Sequence, residues 1–551
     1  GMIPASFLFH ADKTLLMVKR VKLLLPLFQL LCAVTLQAQN PYLPMWEYIP
    51  DGEPYVFDDP DNPGKKRVYI YGSHDSMITG YCGRELVTWS ASVDSLDHWR
   101  YDGVIFEVTK NAKGEYLHKE KWGDVLYAPD VAEKTEPDGT KTYYLYPNNQ
   151  AGGRNGMVAK SKRPDGPFEV INWNPNKHNE TIGVLGFDPA VFIDDDGKVY
   201  GYWGFKDAYA AELDPVTMAT VKSGAKVHEK YLNSKSEPGI YRFFEASSMR
   251  KIKDKYVLIY SRHTGDNEFG LPVSNYTLAY AYSNSPLGPF TYGGTIIDGR
   301  GRDINENGTP IFTAHPNGNT HGSICEINGK WWVFYHRQVG LDEYSRQAMV
   351  APITVDVTEG ADGKVVISEA EYTSEGFCVN GLNPLKRHSA GIACYYTGPK
   401  PALHKWPVKE FFGSYVAPRR IEGIPQGNHY DLSVNHNPVV NNTNGSVVGY
   451  KYFNFDYTYG KNNLQLLINV VPAGIDATID VWVNSPYVSR GGVKIGSMSL
   501  NSTMKQVKTE LKTDMPALKE MRGKKALFFV IKSSIAERSL CEIHDFVFVG
   551  K

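Results

Sequence analysis

Cysteine is scarce in this chain, with Cys 6 among 551 residues. Cys82, Cys325, Cys378, Cys394 and Cys541 lie far apart and no CxxC or Cys/His spacing occurs, which excludes a disulfide framework and a zinc module. An excess of either charge is missing too: Lys+Arg 59 stand against Asp+Glu 60, a formal net charge of -1. Neutralising a phosphate backbone needs basic residues concentrated on one face, so nucleic acid is not an expected partner. The chain also lacks long helical periodicity, a phosphate-cradling glycine loop, a GxSxG elbow and an HExxH helix. Stability must therefore come from a large core, and the chemistry from carboxylates. What is abundant is aromatic, 13% of residues with Tyr 35, together with Gly 51. Strands favour aromatics and turns need glycine, so this composition suits an all-β protein.

The N-terminus reads as a secretory signal. Lys19, Arg20 and Lys22 precede an apolar run from Leu23 to Leu36, and Leu36-Gln37-Ala38 offers a cleavage site. The run is shorter than the roughly 20 residues that span a bilayer, so no membrane span is expected. Residues 1–38 are set aside as signal peptide and uninformative extension, and the mature chain is expected in the periplasm or outside the cell.

Beyond this segment, strand-like runs follow turn residues again and again. Arg67 to Tyr71, Thr142 to Tyr146, Lys198 to Trp203, Tyr256 to Tyr260 and Lys330 to Tyr335 each come after a turn such as Asp138-Gly139, Asp196-Gly197 or Asn328-Gly329. Their spacing of roughly 55 to 75 residues is too long for one hairpin and right for a four-stranded blade. A Ser-x-x-Pro-x-Gly-Pro-Phe pattern recurs at Ser161 to Phe168 and Ser283 to Phe290, with a looser copy at Ser92 to Trp99, each closing on an aromatic able to plug the gap between sheets. The expected fold is an all-β, five-bladed β-propeller over residues 41–400, with a closing segment or linker at about 376–408 rich in Pro and Gly. Strand-like runs at Val448 to Phe455, Asn463 to Val471, Ala477 to Val483 and Ala526 to Ile531 lack the repeat and suggest a jelly-roll-like β-sandwich over 410–551, with Met515 to Met521 as a modest helix candidate.

Three acidic segments stand out: Pro50-Asp51-Gly52-Glu53-Pro54, Phe187-Asp188-Pro189 and Phe244-Glu245-Ala246. Each acid lies just before or inside an apolar strand, where a carboxylate costs desolvation energy unless it has partners or a task. Taken singly, each is a turn or cap residue. Taken together, one per blade, they would converge on the central funnel, and two carboxylates facing across a sugar are what glycoside hydrolysis requires. A third can raise the pKa of the proton donor.

These ordered segments, with Tyr69-Ile-Tyr-Gly-Ser-His-Asp75, Tyr127-Ala-Pro-Asp-Val131, Glu245-Ala-Ser-Ser248 and Thr320-His-Gly-Ser323, resemble glycoside hydrolase family 43. The remainder is similar to a family 6 carbohydrate-binding module. The resemblance implies an inverting enzyme acting on arabinose- and xylose-containing polysaccharides, with Asp188 orienting and tuning the donor and Glu245 as general acid. The family's usual Ala-Asp-Pro is replaced here by Pro-Asp-Gly-Glu-Pro, so the base is Asp51 or Glu53. Asp51 is preferred because a longer side chain would crowd the water that an inverting base must hold.

The resemblance further implies that His321 lies near the propeller axis, close in many members to a structural calcium or a water cluster; a buried structural imidazole is the alternative. No obligatory cofactor is implied. Arg346 would reach the sugar or an acid, and His74, Asp75 and Tyr127 would line the subsite. Trp46, Trp122 and Phe187 are candidate stacking platforms, and Tyr430, Tyr450, Tyr457 and Tyr487 are available on the sandwich. The expected activity is α-L-arabinofuranosidase on arabinan or arabinoxylan. Next come β-xylosidase, then endo-xylanase or arabinanase on the same scaffold. A retaining enzyme of the invertase type, and from another class a non-catalytic glycan-binding propeller, are the remaining alternatives.

Overall fold

The computed structural model describes residues 39–77, 79–107, 124–315, 318–400, 413–419 and 436–550. The expected signal segment, Trp122 and Tyr430 lie outside them. Among the described residues the helices are short 3-10 turns such as Pro516–Glu520, and none is long and apolar enough to cross a membrane.

Every expected hairpin forms. Glu53–Asp58 pairs with Lys66–Tyr71, Asp130–Thr135 with Lys141–Tyr146, Ala190–Ile193 with Val199–Trp203, Phe243–Ile252 with Lys255–Arg262, and Ser323–Ile327 with Lys330–Gln338. Tight turns join them because Gly139, Gly197 and Gly329 adopt φ of 85°, 83° and 77°, a region that a Cβ opposes. Four of the sheets continue to four strands in sequence order, and the last holds three, ending in Arg346–Ile353. The N-terminal segment completes that last sheet: the Asn40 side chain donates to Val350 O (2.7 Å) and accepts from Val350 N (3.0 Å), and Tyr42 N donates to Ala348 O (3.3 Å). The two ends of the ring are thereby joined, and the five sheets form a five-bladed propeller.

The first strand of each sheet faces the axis, as the hydrogen bonds between blades demonstrate. Tyr55 Oη donates to Asp130 Oδ1 (2.6 Å), and Val191 N donates to Asp130 Oδ2 (2.8 Å). Ser248 Oγ bonds both Glu53 Oε2 (2.9 Å) and Ser323 Oγ (2.7 Å). Strands from all five blades are held by these few groups.

Side chains alternate across each strand, so neighbouring residues of a hairpin enter different inter-blade cores. Tyr69 packs with Phe57, Tyr143 and Phe168 between the first and second sheets, whereas Val68 and Ile70 pack with Trp89, Trp99, Trp332 and Phe334 between the first and the last. Phe168, Phe290 and Trp99, the closing aromatics of the repeated pattern, are each buried in such a core.

The C-terminal strands form two sheets. One contains Tyr415–Val416, Val439–Asn442, Cys541–Gly550, Leu464–Pro472 and Thr509–Asp514; the other contains Tyr395–Thr397, Val447–Asn454, Lys524–Lys532, Ala477–Val483 and Val493–Leu500. Tyr450 and Phe529 of the second meet Phe546 of the first at ring distances of 4.8 and 5.3 Å. Residues 376–400 are not a spacer: His388–Ser389 pairs with Cys541–Gly550 and Tyr395–Thr397 with Val447–Asn454, so the sandwich begins inside the segment expected to be a linker, whose residues 401–408 lie outside the described ones. Its core is continuous with that between the fourth and fifth blades, where Ile259, Ile296 and Tyr335 lie. Lys451 reaches Asp303 (2.8 Å), Arg337 Nη1 donates to Ala393 O (2.7 Å), and Gly340 N donates to Val416 O (2.8 Å).

The five described cysteines are free thiols, and stability rests on the packed cores. Phe168→Ala is expected to cost about 3–5 kcal/mol in urea unfolding, because it empties an inter-blade core. Phe205→Ala should change stability by no more than about 0.5 kcal/mol, since Phe205 is 47% exposed.

Candidate active site

The three acids all stand where the innermost strand of a blade begins or bends. Asp51 precedes Glu53–Asp58 by two residues with φ 61°, and Asp188 precedes Ala190–Ile193 by two with φ 52°. Glu245 lies at a pairing irregularity of Phe243–Ile252, next to Ala246 with φ 69°. Positive φ is uncommon for residues with a Cβ and clusters at functional sites. Close backbone approach helps set Asp51: a Cβ on Gly72 would lie 2.3 Å from Pro50 O, so glycine lets the second strand press against the residue before the acid. All three side chains are buried and line one cavity of about 280 Å³.

Arg346 organises one side of it. Its Nε and Nη2 form a two-point contact with Asp75 (2.9 and 2.8 Å), and Nη1 reaches both oxygens of Asp51 (3.2 Å) and Asn319 Oδ1 (3.3 Å). Ser73 Oγ donates to Asp51 Oδ2 (2.6 Å). Asp51 N donates to His336 Nδ1 (3.1 Å), which puts the His336 proton on Nε2, facing Asn319 O (3.0 Å) and Oδ1 (2.9 Å). Burial lowers the His336 pKa to about 3, so this imidazole is neutral.

The environments drive the three acids apart. Burial raises the Asp51 carboxyl, but the charges of Arg346 and His321 and the Ser73 hydroxyl outweigh it and hold Asp51 below its ordinary value. For Glu245, burial is reinforced by the like charges of Asp188 and Asp51, which raise it well above the carboxylate range. Asp188 is pushed up to about 7 by burial and by Asp51, with His321 and the Asn148 amide (3.1 Å) opposing. The cavity therefore holds Asp51 toward its ionised form and Glu245 toward its protonated form.

His321 stands between these acids and the axis. Its Nδ1 lies 3.8 Å from Asp51 and 4.0 Å from Asp188, and its Nε2 lies 3.6 Å from Glu53 Oε1. Burial opposes its charge, but Glu53, Asp188 and Asp51 raise its pKa to about 9. Glu53 does not line the cavity; it accepts from Ser248 Oγ (2.9 Å) and Arg250 Nη2 (3.1 Å). The geometry thus separates the two acids of the Pro-Asp-Gly-Glu-Pro segment: Asp51 faces the cavity and Glu53 the axis. The Arg250 guanidinium and the His321 imidazolium face the Glu53 carboxylate, and no cluster of three or more His, Cys, Asp or Glu among the described residues is arranged to hold a metal ion.

Tyr127 and Phe187 line the cavity as expected and form an aromatic wall with Phe205 and Phe244, at successive ring distances of 5.8, 5.5 and 5.3 Å. His74 and Asp75 do not line it, which corrects the expectation for both. His74 is clamped between Glu47 (2.8 Å) and Glu85 (3.0 Å), and Asp75 is consumed by Arg346. Trp46 is core, buried beside Trp89 at 5.9 Å. Ser73, which bonds Asp51, lies between Tyr69 and Asp75 with no feature of the sequence to set it apart. Asn148, Asn319, His336, Tyr81 and Glu343 carried no local signal, because only the closed ring brings their distant positions together.

Residues 58–360 match the family model described as glycosyl hydrolases family 43. Over 383 residues the chain is 35% identical to a xylosidase/arabinosidase of Thermoclostridium stercorarium, covering 65% of this chain and 72% of that protein. It is 32% identical to xylosidase/arabinosidase 43A of Humicola insolens, over 59% of this chain and 98% of that one. An arabinoxylan arabinofuranohydrolase of Paenibacillus polymyxa is 26% identical, over 64% and 54% respectively. With a family-model match over more than half its length and a 35% identical relative matched over 72% of that protein, this chain belongs to glycosyl hydrolase family 43 and is a glycoside hydrolase.

Proposed function

We propose that the chain is an exported, inverting α-L-arabinofuranosidase that removes arabinose from arabinan or arabinoxylan. The observation that carries the reading is the divergence of the acids: two carboxyls on one cavity, one held ionised by Arg346 and one held protonated by burial and like charge. That is the base and acid pair that hydrolysis with inversion needs. Asp51 takes a proton from water, whose oxygen attacks the anomeric carbon. Glu245 gives its proton to the departing glycosidic oxygen. Asp188 keeps the Glu245 proton in place through its charge, and His321 neutralises part of the negative charge the acids share. Tyr127 and Phe187 stack on the sugar, and Phe205 and Phe244 extend that wall. β-Xylosidase is the second reading, favoured by relatives named for both activities. Export rests on the basic and apolar pattern of residues 1–38 alone. The sandwich is read as a brace, because Tyr450 is fully buried and Tyr487 sits 3.4 Å from Tyr395 Oη, while Tyr457, 48% exposed, is the aromatic best able to meet glycan.

Aryl arabinofuranoside and aryl xyloside turnover separates the two readings, and proton NMR of the first-formed sugar should report the inverted anomer; a retained anomer overturns the roles given to Asp51 and Glu245. Glu245→Gln should lower kcat on a natural arabinoside by about 10²–10⁴-fold with an unchanged unfolding midpoint. The pH profile follows from the ionisations. Activity falls on the acid side as Asp51 takes a proton and on the alkaline side as Glu245 loses one. Asp188→Asn removes a like charge, so Glu245 should release its proton at lower pH and the alkaline limb of kcat/KM should move toward acid; an unmoved limb refutes the tuning role. Phe205→Ala should raise KM for polymer more than for aryl glycoside.

A further inference from the structure

A fourth carboxylate lines the cavity and takes no part in the chemistry above. Glu343 is buried, 8% exposed, on the loop between Lys330–Gln338 and Arg346–Ile353, three residues before Arg346. It accepts a hydrogen bond from Tyr81 Oη. Tyr81 is fixed on its other sides: its ring covers the Arg346 guanidinium (5.0 Å) and meets Tyr344 edge-on (4.9 Å). The loop is tied at its base, where Val339 N donates to Ser345 O (3.0 Å), and is braced by the sandwich through Gly340 N and Val416 O (2.8 Å). Glu343 is therefore presented to the cavity on a rigid mount.

The charge of Glu343 is felt by Tyr81, Tyr276 and Tyr344, whose hydroxyls it makes harder to ionise. Asn275 and Asn319 line the cavity with it and supply further amide groups, so the lining that includes Tyr127, Phe187, Phe205 and Phe244 is complemented by a polar set. A sugar has apolar faces and hydroxyl edges, and a carboxylate with a fixed orientation accepts from such hydroxyls more strongly than a neutral group does. We propose that Glu343, oriented by Tyr81, is a specificity-determining residue that accepts a hydrogen bond from a hydroxyl of the bound pentose. This rests on the cavity being the site where the pentose is held.

An anchor used equally in the bound and the transition state changes KM and leaves kcat alone. Glu343→Gln keeps the shape and an acceptor for Tyr81 but loses the charge. It should raise KM for the preferred aryl pentoside about tenfold, the scale of one hydrogen bond to a charged group. Its kcat should stay within about twofold and the pH profile of kcat should not move. Tyr81→Phe, which releases the carboxylate without removing it, should raise KM by a smaller factor and serves if Glu343→Gln proves unstable by its unfolding midpoint. Unchanged KM in both variants overturns the proposal, as does a lower kcat with a displaced pH profile, which would put Glu343 among the proton-transfer groups. Failure of the underlying reading looks different: wild-type protein would release neither pentose. Calorimetry with arabino- and xylo-oligosaccharides then decides, and Glu343 keeps its role only if wild type binds and Glu343→Gln binds at least about tenfold more weakly.

Discussion

The site depends on gathering carboxylates of like charge in a cavity from which water is largely removed. Asp51, Asp188 and Glu245 cannot all be ionised there, because burial and mutual repulsion both penalise the charge. Arg346 decides which of them keeps it. Its guanidinium is spent on two acids, Asp75 holding it in a two-point contact and Asp51 receiving what remains. Asp75 is therefore a positioning residue. Its removal would free the arginine to rotate away from Asp51 and would leave a buried charge without its mate, a change that costs more than such a pair contributes when intact.

A second buried ion pair does comparable work along the axis. The Arg250 guanidinium lies over the Tyr55 ring (4.3 Å) and bonds Glu53, Pro54 O and Ile324 O. One side chain of the fourth blade thereby touches the first and the fifth. Glu53 in turn faces His321, and His321 faces Asp51 and Asp188. Along this path, from Arg250 through Glu53 and His321 to Asp51, acidic and basic groups alternate. Hydrogen bonds from Tyr55 and Val191 to Asp130 complete the ring of inner strands. The groups that hold the blades together are thus continuous with those that set the ionisation of the site.

The aromatic abundance has mostly a structural use. Tyr69, Tyr143, Trp89, Trp99 and Phe334 fill the wedges between blades, where large flat side chains match the spacing of twisted sheets. Among the described residues, Tyr81, Tyr127, Phe187, Phe205 and Phe244 are the aromatics that line the cavity. The sandwich shares its core with the last two blades and clasps the loop that carries Glu343.

What the sequence by itself determined was everything governed by near neighbours: hairpins at Asp138-Gly139 and Asn328-Gly329, strands at Val199–Trp203 and Ala477–Val483, and three acids at strand entrances. Period-two patterning and turn residues act within a few positions, so they can be read along the chain. Family resemblance then supplied the roles of Asp188 and Glu245. Tertiary structure alone decided that Asp51 and not Glu53 faces the cavity, that His74 and Asp75 serve other side chains, and that Asn148, His336 and Glu343 belong to the site. It also decided that the sandwich starts within residues 376–408. These outcomes turn on ring closure, which brings together residues hundreds of positions apart, and on electrostatics, which depends on distances in space and on burial.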